Sequence, residues 1–370
     1  MAEKITDKKV TIIGLGLIGG SIARALHERM GIKNITAVSK DIKEIDAALR
    51  DGTIADGFCE LNERALDADI IFICTPVKHT FEYLDVLSGK IKAGCIVTDV
   101  SSTKSEIIRH VNSMKNPPCF IGGHPMAGGE KTGYSSGFSH LFENAYYILT
   151  PCVSTSEAAT ETMKQVISGI GAIPIIMDAD RHDKIVGNIS HLPHIIASAL
   201  VNTIRKLDEN DGMMQVLAAG GFKDITRIAS SSPEIWESIV MSNRANILAA
   251  LDEYINTLIE SKNYIEKNDK EKIFDFFSFA RDYRNAIPSD RIGLISPSNM
   301  IVVDVVDKPG IIGEIAVILG QNCINIKNIN VSNSREFENG CLKITFSDSE
   351  STNNAFEVLK NAGFRVFKNA

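Results

Sequence analysis

The chain has 370 residues, 44% of them hydrophobic and 23% charged, which argues against disorder and leaves room for two or three domains with cores of their own. A formal charge of −7 without a lysine–arginine cluster argues against a nucleic-acid or anionic-membrane surface, and apolar runs such as 70–74 are too short to span a bilayer. Seven scattered cysteines contain no CxxC pair, so no metal or disulfide framework is visible, and the polar stretch 1–9 lacks a signal-peptide core, which together predict a cytoplasmic protein.

In chain order, a β-branched run from Lys8 leads into GLGLIGGS and then into helical spacing of Ile18, Ile22, Ala25 and Leu26. Further strands are expected at 35–39, 70–74, 96–100, 119–121 and 173–177, with helices between most of them. That alternation predicts a Rossmann-type α/β domain over residues 1–178, with a doubly wound parallel sheet. From 179 to 290 strand signals disappear and apolar residues recur at helical spacing on more than one face, as in ANILAALDEYINTLIESKNYI. An all-helical domain that pairs with a second copy of itself is expected, hence a homodimer. Proline and serine punctuate a linker at 291–298, after which 299–370 reads βαββαβ, a ferredoxin-like sandwich.

Gly14, Gly16 and Gly19 form GxGxxG between strand and helix, a dinucleotide fingerprint, with Leu17 and Ile18 beside the pyrophosphate at the helix start. An acid at the end of the second strand would hold a bare ribose, but that position is Ser39 followed by Lys40. A hydroxyl and a cation suit a 2′-phosphate, so the coenzyme is expected to be NADP or NAD, leaning to NADP; Asp41 lies two residues on. Thr75, Pro76 and Asp99 end later strands and are expected at the same coenzyme edge.

GGHPMAGG places His124 in what reads as a glycine-rich loop, where an imidazole titrating near neutrality can handle a proton close to a ligand. His191 and His194 in SHLPH are three apart, but with Pro193 between them and no third ligand they do not read as a zinc pair. Trp236 is a candidate pocket wall, with plain helix packing as the alternative, and His182-Asp183 reads as a structural helix start.

GLGLIGGS, DVSSTK, GGHPMAG, GEKTG, SHLPH, GGFKDITRIA and SPEIW occur in this order and at fitting distances. Together they make the chain resemble the prephenate/arogenate dehydrogenases of tyrosine biosynthesis over nearly its whole length. The resemblance implies that His124 accepts the proton of the substrate's ring hydroxyl while hydride leaves the same carbon for the nicotinamide. It implies that Ser102 hydrogen-bonds that hydroxyl and holds the imidazole in its acceptor tautomer. His194 and Arg227 match the groups that hold the substrate carboxylates, and Glu130 and Asp224 match acidic residues lining the pocket. The implied reaction is oxidative decarboxylation of prephenate to 4-hydroxyphenylpyruvate. Arogenate as substrate, or a catalytically silent amino-acid sensor, are the alternatives, and the presence of His124, Ser102 and Arg227 disfavours the silent sensor. The C-terminal sandwich resembles an ACT module. Its loop at Asp307, Gly310 and Ile311 and the following Asn325 match the amino-acid site, which implies L-tyrosine as a feedback effector.

Overall fold

The structure is a computed structural model describing residues 5–129, 131–208, 212–287, 299–306, 308–333 and 339–368. The linker expected at 291–298 and the site residues Glu130 and Asp307 lie outside the described residues. The chain divides into two compact units, Met1–Ile273 and Phe274–Ala370. Among the described residues no helix is long and apolar enough to cross a membrane.

The first unit opens with β1 (Val10–Ile13), four buried residues in a row, as expected for a central strand covered on both faces. α1 (Leu17–Met30) follows the glycine turn and stops at Gly31, which takes the left-handed conformation at φ 69°. Then come β2 (Ile35–Val38), α2 (Ile42–Arg50), β3 (Asp56–Phe58), α3 (Glu63–Leu66), β4 (Ile70–Ile73), α4 (Val77–Leu87), β5 (Ile96–Asp99) and α5 (Ser105–Ser113). β6 (Cys119–Pro125), β7 (Tyr146–Pro151), α6 (Glu157–Gly169) and β8 (Ile173–Ile176) complete an eight-stranded sheet of order β3-β2-β1-β4-β5-β6-β7-β8. Two apolar layers cover its faces, one built around Ile12, Ile22, Leu26 and Phe72, the other around Ile13, Ile71, Leu84 and Phe120. Each such side chain contributes about 1.5–3 kcal/mol by leaving water.

The winding reverses between β1 and β4, which puts the ligand crevice of a doubly wound sheet at their carboxyl ends. The expected all-parallel sheet needs one correction: β7 runs antiparallel to β6, and β8 parallel to β7. Among the described residues no α-helix crosses over between β6 and β7, and without a crossover the returning strand must run back. The intervening segment is anchored by Tyr134, whose hydroxyl bonds Asp51 at 2.8 Å and Thr53 at 2.9 Å while the Arg24 guanidinium lies over its ring at 4.2 Å.

Beyond the sheet the unit is helical: α7 (Ala179–Val186), α8 (Leu192–Leu207), α9 (Met213–Leu217), α10 (Gly220–Thr226), α11 (Pro233–Ser242) and α12 (Arg244–Glu266), with α13 (Lys270–Ala286) running past its boundary. α7 and α8 are joined through one wide π-turn, Gly187–His191. Such turns insert a residue into a helix and often occur at functional sites.

The second unit carries β9 (Met300–Val306), α14 (Ile311–Gln321), β10 (Asn328–Asn333), β11 (Asn339–Thr345), α15 (Ser349–Asn361) and β12 (Arg365–Lys368). Its four strands pair antiparallel in the order β10-β11-β9-β12 over a core of Val303, Ile315, Leu319, Phe346 and Leu359. This is the ferredoxin-like arrangement that the βαββαβ order predicts.

Candidate active site

At the coenzyme end, each fingerprint glycine has a distinct reason. Gly14 sits at φ 95° with its Cβ position 2.8 Å from the Cys74 carbonyl oxygen, and a Cβ on Gly19 would collide with the Gly14 carbonyl. Gly16, by contrast, faces open space and caps α1 without a side chain, so the first-turn amides are left for an anionic ligand. Half-buried Leu17 and Ile18 begin this helix, and the Leu17 side chain meets Gly129, just after the His124 strand. Thr75 lies two residues beyond β4 with a buried hydroxyl that has no protein partner, which a ligand could satisfy, and exposed Pro76 caps α4. The donor set at this edge therefore fits a dinucleotide.

The end of β2 differs in detail from expectation. Ser39 is buried and donates its hydroxyl to Glu44 Oε2 at 2.9 Å. Lys40 is exposed, and Asp41 uses its carboxylate to accept the Lys43 amide at 2.9 Å as the cap of α2.

His124 lies on β6, paired with Ile148 of β7, and not in a loop. The preceding glycines are therefore packing residues: a Cβ on Gly122 would strike the Thr150 hydroxyl, and one on Gly123 the Asp99 carbonyl. Asp99, expected at the coenzyme, is corrected too, because it is fully buried and its carboxylate is used internally. It accepts the amides of Ser101 at 2.9 Å and Gly123 at 3.0 Å and pairs with Lys104 Nζ, which also donates to the Gly123 carbonyl at 2.8 Å. Burial pulls the Lys104 ammonium down while the Asp99 charge opposes it. The pair clamps the ends of β5 and β6 together directly behind His124.

The imidazole of His124 is oriented by a chain of three groups. His124 Nδ1 meets His182 Nε2 at 2.8 Å, and His182 Nδ1 meets Asp183 Oδ1 at 2.8 Å, with His182 and Asp183 both buried. Asp183 also accepts the amides of Lys104 and Ser105 at 2.8 Å each. Burial pushes the Asp183 carboxyl up, yet hydrogen bonds from His182, Ser105 and Lys104 outweigh it and hold the group below its usual range. As a carboxylate it only accepts, so His182 Nδ1 carries a proton, and in the neutral form of His182 its Nε2 is a lone pair. That lone pair takes the His124 Nδ1 proton and leaves His124 Nε2 as an acceptor. Burial, then the neighbouring His182, Lys104 and His191, hold the His124 pKa well below its ordinary value, so the ring is neutral at pH 7. The tautomer expected from Ser102 is thus set by His182 and Asp183, and the pair expected to be a structural helix start belongs to the site. Ser102 itself is half-buried in the segment between β5 and α5.

The helical part contributes from α8, α10 and α11. The His194 ring stacks on Trp236 with centroids 3.7 Å apart, and its Nδ1 donates to the Ser190 carbonyl at 2.9 Å. Burial lowers the His194 pKa, the Ser190 contact raises it, and the charge of Arg227 lowers it again. That charge places Arg227, at the end of α10, within electrostatic reach of His194. Arg227 and Asp224 are both exposed. Trp236 is half-buried, so it is the wall of this stack and no core residue. His191 is buried and accepts at Nδ1 from Asn243 Nδ2 at 3.1 Å; burial lowers its pKa, the charge of Asp183 opposes this, and His182 and His194 lower it again, to about 4. Among the described residues no group of three or more His, Cys, Asp or Glu side chains is arranged to hold a metal ion.

In the second unit Gly310 caps α14 at φ 89° without a side-chain cap, and Ile311 is buried behind it. Asn325, expected at the amino-acid site, is exposed and precedes β10.

Comparison with known proteins gives a consistent result. The family model for the prephenate dehydrogenase nucleotide-binding domain matches residues 22–176, and that for the prephenate dehydrogenase dimerization domain matches residues 178–279. The chain is 37% identical over 353 residues to a prephenate dehydrogenase of Bacillus subtilis, covering 95% of each chain. Among solved structures, prephenate dehydrogenase from A. aeolicus in complex with hydroxyphenyl propionate and NAD+ aligns with a TM-score of 0.71 at 29% identity, covering 78% of this chain and all of that one. Synechocystis arogenate dehydrogenase aligns with a TM-score of 0.66 at 29% identity, covering 75% of this chain and 99% of that one.

Proposed function

The chain belongs to the prephenate dehydrogenase family and is an NAD(P)-dependent dehydrogenase, and on that premise we propose that it converts prephenate to 4-hydroxyphenylpyruvate by oxidative decarboxylation. The observation that carries this reading is the hydrogen-bonded chain His124–His182–Asp183, which engages Nδ1 of His124 and leaves Nε2 for the substrate. Bound nicotinamide supplies the hydride acceptor. His124 Nε2 takes the proton of the ring hydroxyl as hydride leaves that carbon, and returns it to the phenolic oxygen once the ring carboxylate has left as carbon dioxide. Ser102 donates to the same oxygen. Arg227 holds a substrate carboxylate by its planar fork, and His194, whose Nδ1 proton goes to Ser190, takes up a proton at Nε2 to donate to another, with Trp236 fixing the His194 ring and Asp224 on the acidic side of the pocket.

The coenzyme edge holds support for either dinucleotide: Lys40 favours a 2′-phosphate, and the Ser39–Glu44 contact favours a bare ribose. Gly14, Gly16, Leu17, Ile18, Gly19, Thr75 and Pro76 would contact it. The helical part, which the dimerization-domain model matches, pairs two copies, and L-tyrosine binds the second unit at Gly310, where the uncapped amides of α14 suit a carboxylate. Arogenate is the second reading, favoured by the likeness to Synechocystis arogenate dehydrogenase.

The test is the initial rate of nicotinamide reduction with prephenate and with arogenate, each with NAD+ and NADP+. Turnover of prephenate supports the proposal; turnover of arogenate alone replaces it by the second reading. No turnover of either substrate overturns both.

A further inference from the structure

We propose that Glu44, on the first turn of α2, is the group that accepts the adenosine ribose hydroxyls and makes the enzyme select NAD+ over NADP+. The proposal rests on the dehydrogenase reading above and deepens it at the coenzyme edge.

A ribose-selective site of this fold needs a carboxylate at the end of the second strand. Ser39 occupies that position, but the backbone brings an acid to it from five residues further on. The Ser39 hydroxyl donates to Glu44 Oε2 at 2.9 Å, and Glu44 Oε1 lies 3.6 Å from the Cβ position of Gly133, in the segment that follows His124. The carboxylate is therefore held in the crevice between strand end and loop. Gly133, at φ 85° and without a side chain, keeps that side open. Asp41, the other acid in reach by sequence, is turned away as the cap of α2. Glu44 is half-buried, so its charge is less screened than that of a surface acid. One oxygen is fixed by Ser39 and the other faces the crevice, where it can accept a 2′-hydroxyl. A 2′-phosphate in the same place would set a dianion against this carboxylate. Ser39 positions the selecting group; it does not substitute for it.

The experiment is isothermal titration calorimetry of the full-length protein with NAD+ and with NADP+, for the wild type, Glu44→Gln and Glu44→Ala, with thermal melts to confirm folding. The wild type should bind NAD+ at least tenfold more tightly than NADP+. A hydrogen bond to a charged acceptor is at stake, so Glu44→Gln should weaken NAD+ by about tenfold or more and tighten NADP+, collapsing the ratio. Glu44→Ala should do the same if the isosteric variant retains partial grip. Wild-type binding of NADP+ as tight as that of NAD+, or a ratio unmoved by both variants, overturns the assignment of Glu44 and leaves the dehydrogenase reading standing. Binding of neither nucleotide overturns the dehydrogenase reading, and this proposal with it.

Discussion

The chemistry turns on which nitrogen of His124 carries a proton, and that is decided two hydrogen bonds away. Asp183 accepts from two backbone amides and from His182, so its charge is fixed in place and drives the tautomers of both rings. An asparagine at 183 would offer an amide hydrogen to His182 Nδ1, turn His182 Nε2 into a donor, and force the His124 proton onto Nε2, the nitrogen that must accept. Asp183→Asn should therefore lower kcat by about 10²-fold or more with a small change in KM, a logic shared with catalytic triads. It should also distort the acid limb of the kcat–pH profile, which in the wild type should lie below pH 6.5 because His124 is held down by burial. His124→Asn removes the acceptor itself and should cost about 10²–10⁴-fold in kcat. If Asp183→Asn loses only stability, keeping both kcat and the wild-type pH profile, the orienting role is wrong. His124 was legible in the sequence as a histidine among glycines. Its partner was not, because His182 lies 58 residues on and no local pattern records a contact made by folding.

At the scale of elements, the fingerprint and the helical stretch follow from short-range spacing, and the structure has both. What spacing does not carry is direction: β7 is an apolar run that fits either orientation, and only the missing crossover decides that it returns antiparallel to β6. The same blindness made the Gly122-Gly123 pair read as a ligand loop, when close approach of β5 and β7 explains both glycines. The π-turn between α7 and α8 is a further case, since it appears only as one extra residue in a helix. It is held by Asn243, which donates to the Asp183 carbonyl at 2.7 Å and to buried His191. That burial has a measurable cost in acid. With a folded pKa of about 4 and an ordinary value of 6.5, His191 takes a proton more readily unfolded than folded between those limits. The unfolded state binds more protons there, so stability is full above pH 6.5 and falls as pH drops toward 4. The loss from this residue is about 3 kcal/mol. Urea unfolding midpoints taken from pH 7 to pH 4 should fall steeply in the wild type and less steeply in His191→Gln. Parallel curves would show that the acid sensitivity comes from elsewhere.

At the scale of the whole molecule, two features point beyond the single chain. The helical part leaves Leu207, Val216, Met241, Leu248 and Ile259 exposed, on elements that the dimerization-domain model matches, which supports pairing through this face. The second unit has its own core, built from residues of β9, α14, β11 and α15 among others, so it owes its apolar packing to itself. Removing residues 299–370 cuts after α13 and takes no residue from the two core layers of the sheet. The truncated enzyme should therefore keep kcat and KM for prephenate within about twofold, an effect of the size expected when no contact at the site changes. If tyrosine acts through the uncapped amides at Gly310, inhibition seen in the full chain should vanish on truncation. Steady-state rates with and without tyrosine, for both proteins, decide the matter. Tyrosine that still inhibits the truncated form must bind where prephenate binds, its carboxylate taken by the groups proposed for the substrate, and inhibition would then be competitive. Loss of inhibition with turnover retained would instead make the second unit the sensor.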